Sequence, residues 1–322
     1  MKRKRGTRKK SRVKHVSKNH SIKKRFKKKR QKHKTVKKYV NRRNARKSTY
    51  RRKKHKLTKK KIPWVQQESS KKYLHDLKKS KKPSNLSENK ELEFMLKSIK
   101  FNNPGVSYKI LEAFKMIDRK IFVKHNFYED MPVPIAHGQT ISQPTTIARM
   151  LRLLNLEPGQ NILEIGSNTG YHASLVSWLV SPGNVTTIEI FPDLAHNARI
   201  NLKNLLHEFE LKKIKKTIHV QIFTGDALNK YQEIWQKRYD RIYFTGSLSI
   251  EKLGLMKHLA QKALKDEGLL LFPSSSTSSN YGGLELWKKK NNKLILLKIE
   301  PGYAFVPIVR QKDIEDLYKK LR

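Results

Sequence analysis

The sequence contains no cysteine. Disulfide bonds, a cysteine-based zinc site and a thiolate nucleophile are therefore excluded. A reducing, intracellular location fits this composition. The histidines of the first 61 residues stand apart from one another without metal-ligand spacing, so we predict no bound metal.

Long apolar runs are also missing. The longest, such as residues 268–272 and 294–297, have the length of a strand and fall far short of a bilayer span. The basic N terminus is not followed by the apolar core that a secretory signal requires. We therefore predict a soluble protein that does not enter the membrane.

Acidic residues are absent until Glu68. Residues 1–61 contain 33 of the 73 lysine and arginine residues of this 322-residue chain. Strong self-repulsion combined with little apolar surface to bury predicts a disordered tail over residues 1–61. A linker over residues 62–86 and one folded domain over residues 87–322 are expected to follow.

The uncompensated charge of the tail favours a polyanionic partner. Nucleic acid is the first candidate, because lysine and arginine neutralise phosphates and release counterions. A nuclear import signal is the second candidate. An acidic membrane surface is the third, and no amphipathic stripe supports it. The predicted location is the cytoplasm, with the nucleus or a nucleic-acid-containing particle as alternatives.

Two helices are predicted at the start of the folded domain. Ser87 is a helix-start residue, and apolar residues follow it at helical spacing. A second helix is expected after the Pro104-Gly105 turn. The apolar positions of the two helices are Leu92, Met95, Leu96 and Ile99, then Ile110, Leu111, Phe114 and Ile117.

Short β-like runs alternate with helical stretches from residue 156 onward, which predicts an α/β fold with a mostly parallel, doubly wound sheet. The predicted strands are residues 161–165, 185–190, 218–223, 241–244 and 268–272, and the predicted helices are residues 171–180, 193–209 and 251–264. The last part, GLELWKKKNNKLILLKI, indicates an antiparallel pair around a polar turn.

The stretch NILEIGSNTGY, residues 161–171, predicts a strand that ends in a tight turn under a helix. A dinucleotide fingerprint requires three glycines as G-x-G-x-x-G. Tyr171 occupies the position of the third glycine, which argues against NAD. S-adenosylmethionine lacks a pyrophosphate, so it needs only a close backbone approach to a small zwitterion and a ribose. Asn168 suits the middle glycine position because asparagine accepts positive φ.

Polar groups follow three successive predicted strands and are expected to meet at one edge of the sheet. Glu189 ends the second strand, where a carboxylate can accept hydrogen bonds from both ribose hydroxyls. Asp226 and Ala227 follow the third strand, at the expected adenine edge. The predicted cofactor-binding residues of this edge are Glu164, Gly166, Asn168, Gly170, Glu189, Asp226 and Ala227.

The segment at residues 128–154 has an unusual composition for a connector. Pro132 and Pro134 stiffen an extended approach, and Gly138 permits a sharp turn. Gln139, Thr140 and Ser142 then place an amide and two hydroxyls before a helix that begins near Pro144. The apolar residues of that helix are Ile147, Met150, Leu151 and Leu154.

This segment resembles the protein-L-isoaspartate O-methyltransferases. Their P-L-P-I stretch stands here as P-V-P-I at residues 132–135, and their G-Q-T-I-S element is present as residues 138–142 with a proline at 144. MIDRKIFV, LEIGSNTGY, YDRIYFTG and AFVPIV are similar to their lead-in signature, cofactor turn, fourth strand and C-terminal strand. The resemblance extends over residues 87–311, and the tail lies outside it.

The resemblance implies methyl transfer from S-adenosylmethionine to the carboxylate of isoaspartyl residues in damaged proteins. The esterified residue then collapses to a succinimide, which reopens partly to aspartate. Ser142 receives the catalytic position, where its hydroxyl holds the acceptor carboxylate. Gln139, Thr140 and Ile141 support the loop and contact the cofactor.

Several alternatives remain open from the sequence. The domain could be a degenerate methyltransferase that serves as a nucleic-acid-binding protein, or its acceptor could differ. Departures from the family pattern at Asn168, Glu267 and residues 274–276 concern substrate preference more than cofactor binding. A third alternative is a hydrolase in which Asp130 and His137 act on Ser142. The sequence does not determine the oligomeric state.

Overall fold

The computed structural model describes residues 85–275 and 282–321, with side chains over 90–275 and 282–316. The chain divides into two units, Met1–Lys82 and Pro83–Arg322, and every described residue belongs to the second. The predicted tail lies outside the described residues, as does the predicted linker except for its last two positions.

Two helices precede the sheet, as the sequence predicts. Helix α1 is Asn85–Asn102 and α2 is Tyr108–Met116. Ser107 caps α2 by accepting a hydrogen bond from the backbone amide of Ile110 at 3.4 Å, which satisfies one free donor of the first turn. Met95, Ile99 and Phe114 of the predicted apolar stripes are completely buried.

A two-stranded hairpin leads to the third helix. Strands β1 (Val133–Pro134) and β2 (Thr140–Ile141) pair antiparallel, and α3 (Pro144–Leu154) follows directly. Pro144 lies in the first turn of α3, where its missing N–H costs nothing. The four predicted apolar positions of α3 are buried, so this helix fixes the segment before the sheet.

The main sheet has seven strands in the order β5-β4-β3-β6-β7-β8-β9. The first five pair in parallel, and β8 and β9 add antiparallel. The strands are β3 (Asn161–Ile165), β4 (Asn184–Glu189), β5 (Val220–Thr224), β6 (Tyr239–Phe244), β7 (Leu264–Pro273), β8 (Gly283–Lys290) and β9 (Lys293–Pro301). The predicted mostly parallel sheet with an antiparallel C-terminal pair is confirmed.

The remaining helices connect these strands. They are α4 (Tyr171–Val180), α5 (Pro192–Leu211), α6 (Ile250–Ala263) and the C-terminal α7 (Gln311–Leu321). The predicted limits of β3 and α4 are confirmed residue for residue. The stretch at residues 304–309 differs from the resemblance, because it forms one isolated bridge, between Pro307 and Ser247, in place of a strand.

Two apolar cores lie on opposite faces of the sheet. Successive side chains of a strand point to opposite faces, and accordingly Ile162 belongs to the core that contains α1–α4. Its neighbour Leu163 belongs to the core that contains α6. Strand order reverses between β3 and β6, because the chain adds β4 and β5 on one side before returning to the other. A crevice opens at such a switch point, beyond the carboxyl ends of the strands.

One carboxylate is completely buried in the middle of the sheet. Glu164 on β3 accepts hydrogen bonds from the hydroxyls of Thr187 on β4 and Tyr243 on β6, both at 2.6 Å. Burial raises the pKa of Glu164 to about 8, and the two hydrogen bonds offset part of that rise. Both of its oxygens join neighbouring strands, and its role in cofactor binding stays a prediction.

Replacing Glu164 should change how stability depends on pH. The pKa of this group rises from 4.5 to about 8 on folding, so its stabilising contribution is complete below pH 4.5 and is lost as the pH rises toward 8. We therefore expect Glu164→Gln to flatten the fall in unfolding free energy between pH 5 and 8. Urea unfolding at several pH values measures this.

The matched control is Glu210→Gln, which makes the same chemical change at an exposed glutamate on α5. It should leave the pH dependence of unfolding as in the wild type. If the unfolding free energy of Glu164→Gln depended on pH as steeply as that of the wild type, the assignment of a buried, protonated carboxyl group would be contradicted.

Candidate functional site

The crevice at the switch point is lined by the carboxyl ends of four parallel strands. These contribute Gly166 and Asn168 after β3, Glu189 at the end of β4, Gly225 and Ala227 after β5, and Thr245 and Gly246 after β6. Gln139 lines the crevice from the hairpin, and residues 306–309 line it from the C-terminal segment. The structure thus brings together Gln139, Gly166, Asn168, Glu189 and Ala227 of the predicted cofactor-binding set.

The turn after β3 depends on left-handed backbone conformations. Gly166, Asn168 and Gly170 have φ of 97°, 50° and 84°. The predicted positive φ at Asn168 is confirmed. A Cβ on Gly166 would lie 2.3 Å from Thr245 Oγ1, whose hydroxyl donates to the carbonyl of Gly166 at 2.7 Å. The turn therefore lies directly against the end of β6, which requires glycine at this position.

Glu189 connects the turn to the end of β4. Its carboxylate accepts hydrogen bonds from the backbone amides of Asn168, at 2.8 Å, and Phe191, at 3.2 Å. Burial raises the pKa of Glu189, and the amide hydrogen bonds oppose that rise. A carboxylate accepts about four hydrogen bonds, so Glu189 keeps acceptor capacity for the hydroxyls of a ligand in the crevice.

Asp226 and Ala227 occupy different positions at the end of β5. Ala227 is buried and lines the crevice. Asp226 accepts hydrogen bonds from the backbone amides of Leu228, at 2.7 Å, and Gln311, at 3.0 Å. Asp226 therefore shapes its own turn and fixes the start of α7, and its contact with a ligand stays a prediction.

Sequence reasoning missed Thr245 and residues 306–309 as parts of the crevice. Thr245 follows the predicted fourth strand, and its position after that strand was an available signal. The C-terminal segment is held by Ser247, whose amide donates to the carbonyl of Val306 at 2.8 Å and whose carbonyl accepts from Ile308 at 3.0 Å. No local pattern indicates this long-range contact.

The segment before α3 places Ser142 beside the glycine turn. Ser142 shares a small inner pocket with residues 166–169, Tyr171 and His172. Within the described ranges, no residue hydrogen-bonds to the hydroxyl of Ser142, which is therefore available to a ligand. Ile141 is buried next to it. Thr140 pairs with Pro134 in the hairpin and supports the segment. It lines neither the crevice nor the inner pocket.

His137 and Asp130 do not form an acid–base pair. His137 Nε2 lies 2.8 Å from Asp193 Oδ1 at the start of α5, and the His137 ring stacks on Phe191. Asp130 instead accepts hydrogen bonds from Thr145, including its amide at 2.8 Å, and from Ser98. The hydrolase alternative is therefore wrong, because neither group contacts the hydroxyl of Ser142.

The described ranges contain no group of three or more histidine, aspartate or glutamate side chains that could hold a metal ion. The described helices also include none that is long and apolar enough to cross a bilayer. The arrangement instead offers a buried carboxylate for hydroxyl groups, an apolar wall and a free serine hydroxyl in an adjoining pocket. Such a site can hold a nucleoside-like ligand next to a second, polar reactant.

Comparison with known proteins agrees with this geometry. Residues 88–313 match the family model "Protein-L-isoaspartate(D-aspartate) O-methyltransferase". A protein-L-isoaspartate O-methyltransferase of Methanothrix thermoacetophila is 32% identical over 66% of this chain and 93% of its own length. One of Methanopyrus kandleri is 32% identical over 65% of this chain and 87% of its own length.

Solved structures share the fold. One is a crystal structure described as a protein-L-isoaspartate O-methyltransferase of Plasmodium falciparum in complex with S-adenosyl-L-homocysteine. It matches 67% of this chain and 97% of its own with a TM-score of 0.57 at 22% identity. A second, described as protein-L-isoaspartate O-methyltransferase, matches 71% of this chain and 70% of its own with a TM-score of 0.55 at 25% identity.

Gly166 should not tolerate a side chain. Gly166→Ala adds a Cβ 2.3 Å from Thr245 Oγ1 at a position with a φ of 97°. We expect a loss of unfolding free energy of about 1–3 kcal/mol from the left-handed backbone alone. Gly254→Ala in α6 is the control, because a Cβ there meets no atom within 4 Å and alanine favours a helix. Equal stability of the two variants in urea unfolding would disprove the tight turn.

Proposed function

The chain belongs to the protein-L-isoaspartate(D-aspartate) O-methyltransferase family. From this premise we propose that it methylates isoaspartyl carboxylates in a site whose catalytic residue is Ser142. The methyl donor is S-adenosylmethionine, and the acceptors are proteins or peptides that contain isoaspartate. The single observation that supports the site is that Ser142 adjoins the glycine turn of the crevice that contains Glu189.

The crevice residues suit the methyl donor. Glu189 would accept the ribose hydroxyls, because it is buried and still has acceptor capacity beside its two amide donors. Ile190, Ala227 and Ile308 offer an apolar wall for the adenine. The turn at Gly166–Gly170 brings its backbone close to the methionine portion. Gln139 would contact the cofactor from the hairpin, supported by Thr140 and Ile141, while Glu164 and Asp226 maintain the frame.

The chemistry needs positioning more than acid–base catalysis. The donor supplies a methyl group that its positively charged sulfur already activates. The acceptor carboxylate has an ordinary pKa of about 4, so it is ionised at neutral pH and no base is required. Ser142 would donate its hydroxyl hydrogen to one carboxylate oxygen and so orient the other in line with the methyl carbon. Such orientation contributes a large part of the rate of a two-reactant step.

Ser142→Ala should strongly reduce methyl transfer while leaving the affinity for S-adenosylmethionine nearly unchanged. The reason is that the hydroxyl contacts the acceptor and not the donor. Labelled S-adenosylmethionine, offered with paired peptides that differ only in aspartate or isoaspartate, measures the transfer, and calorimetry measures the affinity. Ser181→Ala, a change in the exposed hydroxyl that follows α4, is the matched control.

A second variant separates the two subsites. Glu189→Ala should weaken donor binding by about 1–3 kcal/mol, because ligand hydroxyls lose their acceptor.

Full activity of Ser142→Ala would contradict the catalytic assignment. Absence of both donor binding and transfer in the wild-type protein would favour a degenerate domain with a binding role.

We also propose that residues 1–61 bind nucleic acid. The support is the sequence alone, since these residues combine 33 lysine and arginine residues with no acid. Lysine and arginine side chains of this kind would contact phosphates and not base edges, so sequence preference should be weak. A nuclear or particle-associated location would follow from such binding or from import through the same clusters.

Removing residues 1–61 should abolish nucleic-acid binding and leave methyl transfer near the full-length rate, because every proposed site residue remains. Binding by the full-length protein should weaken by about 0.7–0.9 log units per log unit of salt for each phosphate neutralised. Fluorescence anisotropy with labelled DNA and RNA measures both effects. Binding that survives truncation would place the interaction on the folded domain, and binding that ignores salt would contradict the phosphate model.

A further inference from the structure

Arg119 is one of the largest completely buried side chains in the described part of the chain. It lies in a single 3-10 turn, Arg119–Ile121, between α2 and the hairpin. Its guanidinium donates hydrogen bonds to the backbone carbonyls of Phe127 at 3.0 Å, Glu129 at 3.2 Å and Ser142 at 3.3 Å. The cation thus lies against the peptide of the proposed catalytic serine.

The charge of Arg119 has no ion-pair partner among the described residues. Asp130 is the nearby carboxylate whose attraction acts on it, but the oxygens of Asp130 accept hydrogen bonds from Thr145 and Ser98. Arg149 on α3 shows the contrast, because Glu300 pairs with it through two hydrogen bonds. Burial lowers the pKa of Arg119, yet arginine keeps its proton in proteins.

The inner pocket beside Ser142 contains further unsatisfied polar groups. Thr169 Oγ1 and His172 Nε2 are buried and have no hydrogen-bond partner in the described ranges, and both residues line the pocket. Tyr171 lines it too, and the guanidinium carbon of Arg119 lies 5.8 Å from the centre of the Tyr171 ring. Buried polar groups normally have partners, so the pocket is suited to a polar ligand, and the nearby cation favours an anion.

We propose that Arg119 is a positioning residue that supplies the positive charge for the acceptor carboxylate and fixes the peptide of Ser142. The inference rests on the proposed function, and it identifies Arg119 as the protein group that recognises the negative charge of the substrate. The polar residues of the pocket that would contact the carboxylate are neutral, namely Ser142, Thr169 and His172, because burial lowers the pKa of His172 to about 3. Among the protein groups, the attraction therefore comes from Arg119, through a low-dielectric wall where Coulomb forces are strong, and it adds to that of the donor's sulfonium.

The reaction determines which kinetic constant Arg119 affects. An oxygen–carbon bond forms as the carbon–sulfur bond breaks, so the negative charge of the carboxylate and the positive charge of the sulfonium disappear together as the neutral ester and thioether form. A nearby cation stabilises the charged ground state more than the less charged transition state. Loss of the Arg119 charge should consequently raise KM for the peptide and leave kcat unchanged or slightly higher.

The test compares two peptide ligands in the full-length protein. One contains isoaspartate with its free carboxylate, and the other contains the same residue with that carboxylate replaced by a neutral carboxamide. Calorimetry measures the affinity of each with S-adenosyl-L-homocysteine, whose sulfur is neutral, in place of the methyl donor. The wild type should bind the carboxylate peptide roughly ten- to fiftyfold more tightly, the range expected for one charge at several ångströms. Equal affinity for the two peptides in the wild type would overturn the proposal without any variant.

Variants then locate the charge. Arg119→Gln keeps a donor for the Ser142 carbonyl without the charge, and it should lose the preference for the carboxylate peptide. Arg119→Lys keeps the charge and should retain the preference. Arg241→Gln is the matched control, because Arg241 also donates to backbone carbonyls, those of Leu154 and Asn155 at the other end of α3, and it should behave as the wild type.

The outcomes separate this inference from the proposed function. A folded Arg119→Gln protein, verified by circular dichroism, that still prefers the carboxylate peptide would overturn the inference while methylation continues. Should that variant not fold, loss of the preference in Arg119→Lys would overturn it equally. Absence of methylation of the isoaspartyl peptide by the wild type would instead reject the proposed function.

Discussion

The hydrogen bond between the backbone amide of Asn168 and the buried carboxylate of Glu189 joins the two strand ends on which the site depends. The amide is oriented toward β4 because Asn168 and its neighbouring glycines have positive φ. The carboxylate is fixed in turn by a second amide, that of Phe191. Without this connection, the turn after β3 and the start of α5 would be free to separate, and the crevice would lose its polar wall.

Charge is distributed unevenly between the parts of this protein. The first 61 residues contain only positive charge, while the centre of the folded domain buries a protonated carboxyl group, that of Glu164, and the guanidinium cation of Arg119. Glu164 joins β3 to β4 and β6 through two hydroxyls, and Arg119 joins three backbone carbonyls around Ser142. Each is buried at a cost that its hydrogen bonds repay only in part, which is typical of groups retained for a functional arrangement.

Much of the architecture was predictable from local patterns. The apolar stripes of α1 to α3 and the limits of β3 and α4 follow from periodicity and from glycine and proline signals. Gln139, Gly166, Asn168, Glu189 and Ala227 were also predicted, and they lie together in the crevice. Glu164 and Asp226 were assigned to the cofactor because they are acids at strand ends. Their oxygens bond to protein groups, and sequence cannot show which way a side chain points.

The sequence by itself determined the elements, their order and the chemistry available at the ends of the strands, because periodicity, turn residues and acids are local properties. Only the tertiary structure decided which distant groups meet. It brought residues 306–309 to the crevice, paired His137 with Asp193 in place of Asp130, and buried Arg119 against the carbonyl of Ser142. These contacts join residues far apart in the chain, and they form because the strands end at one edge of the sheet and the space between its layers must be filled.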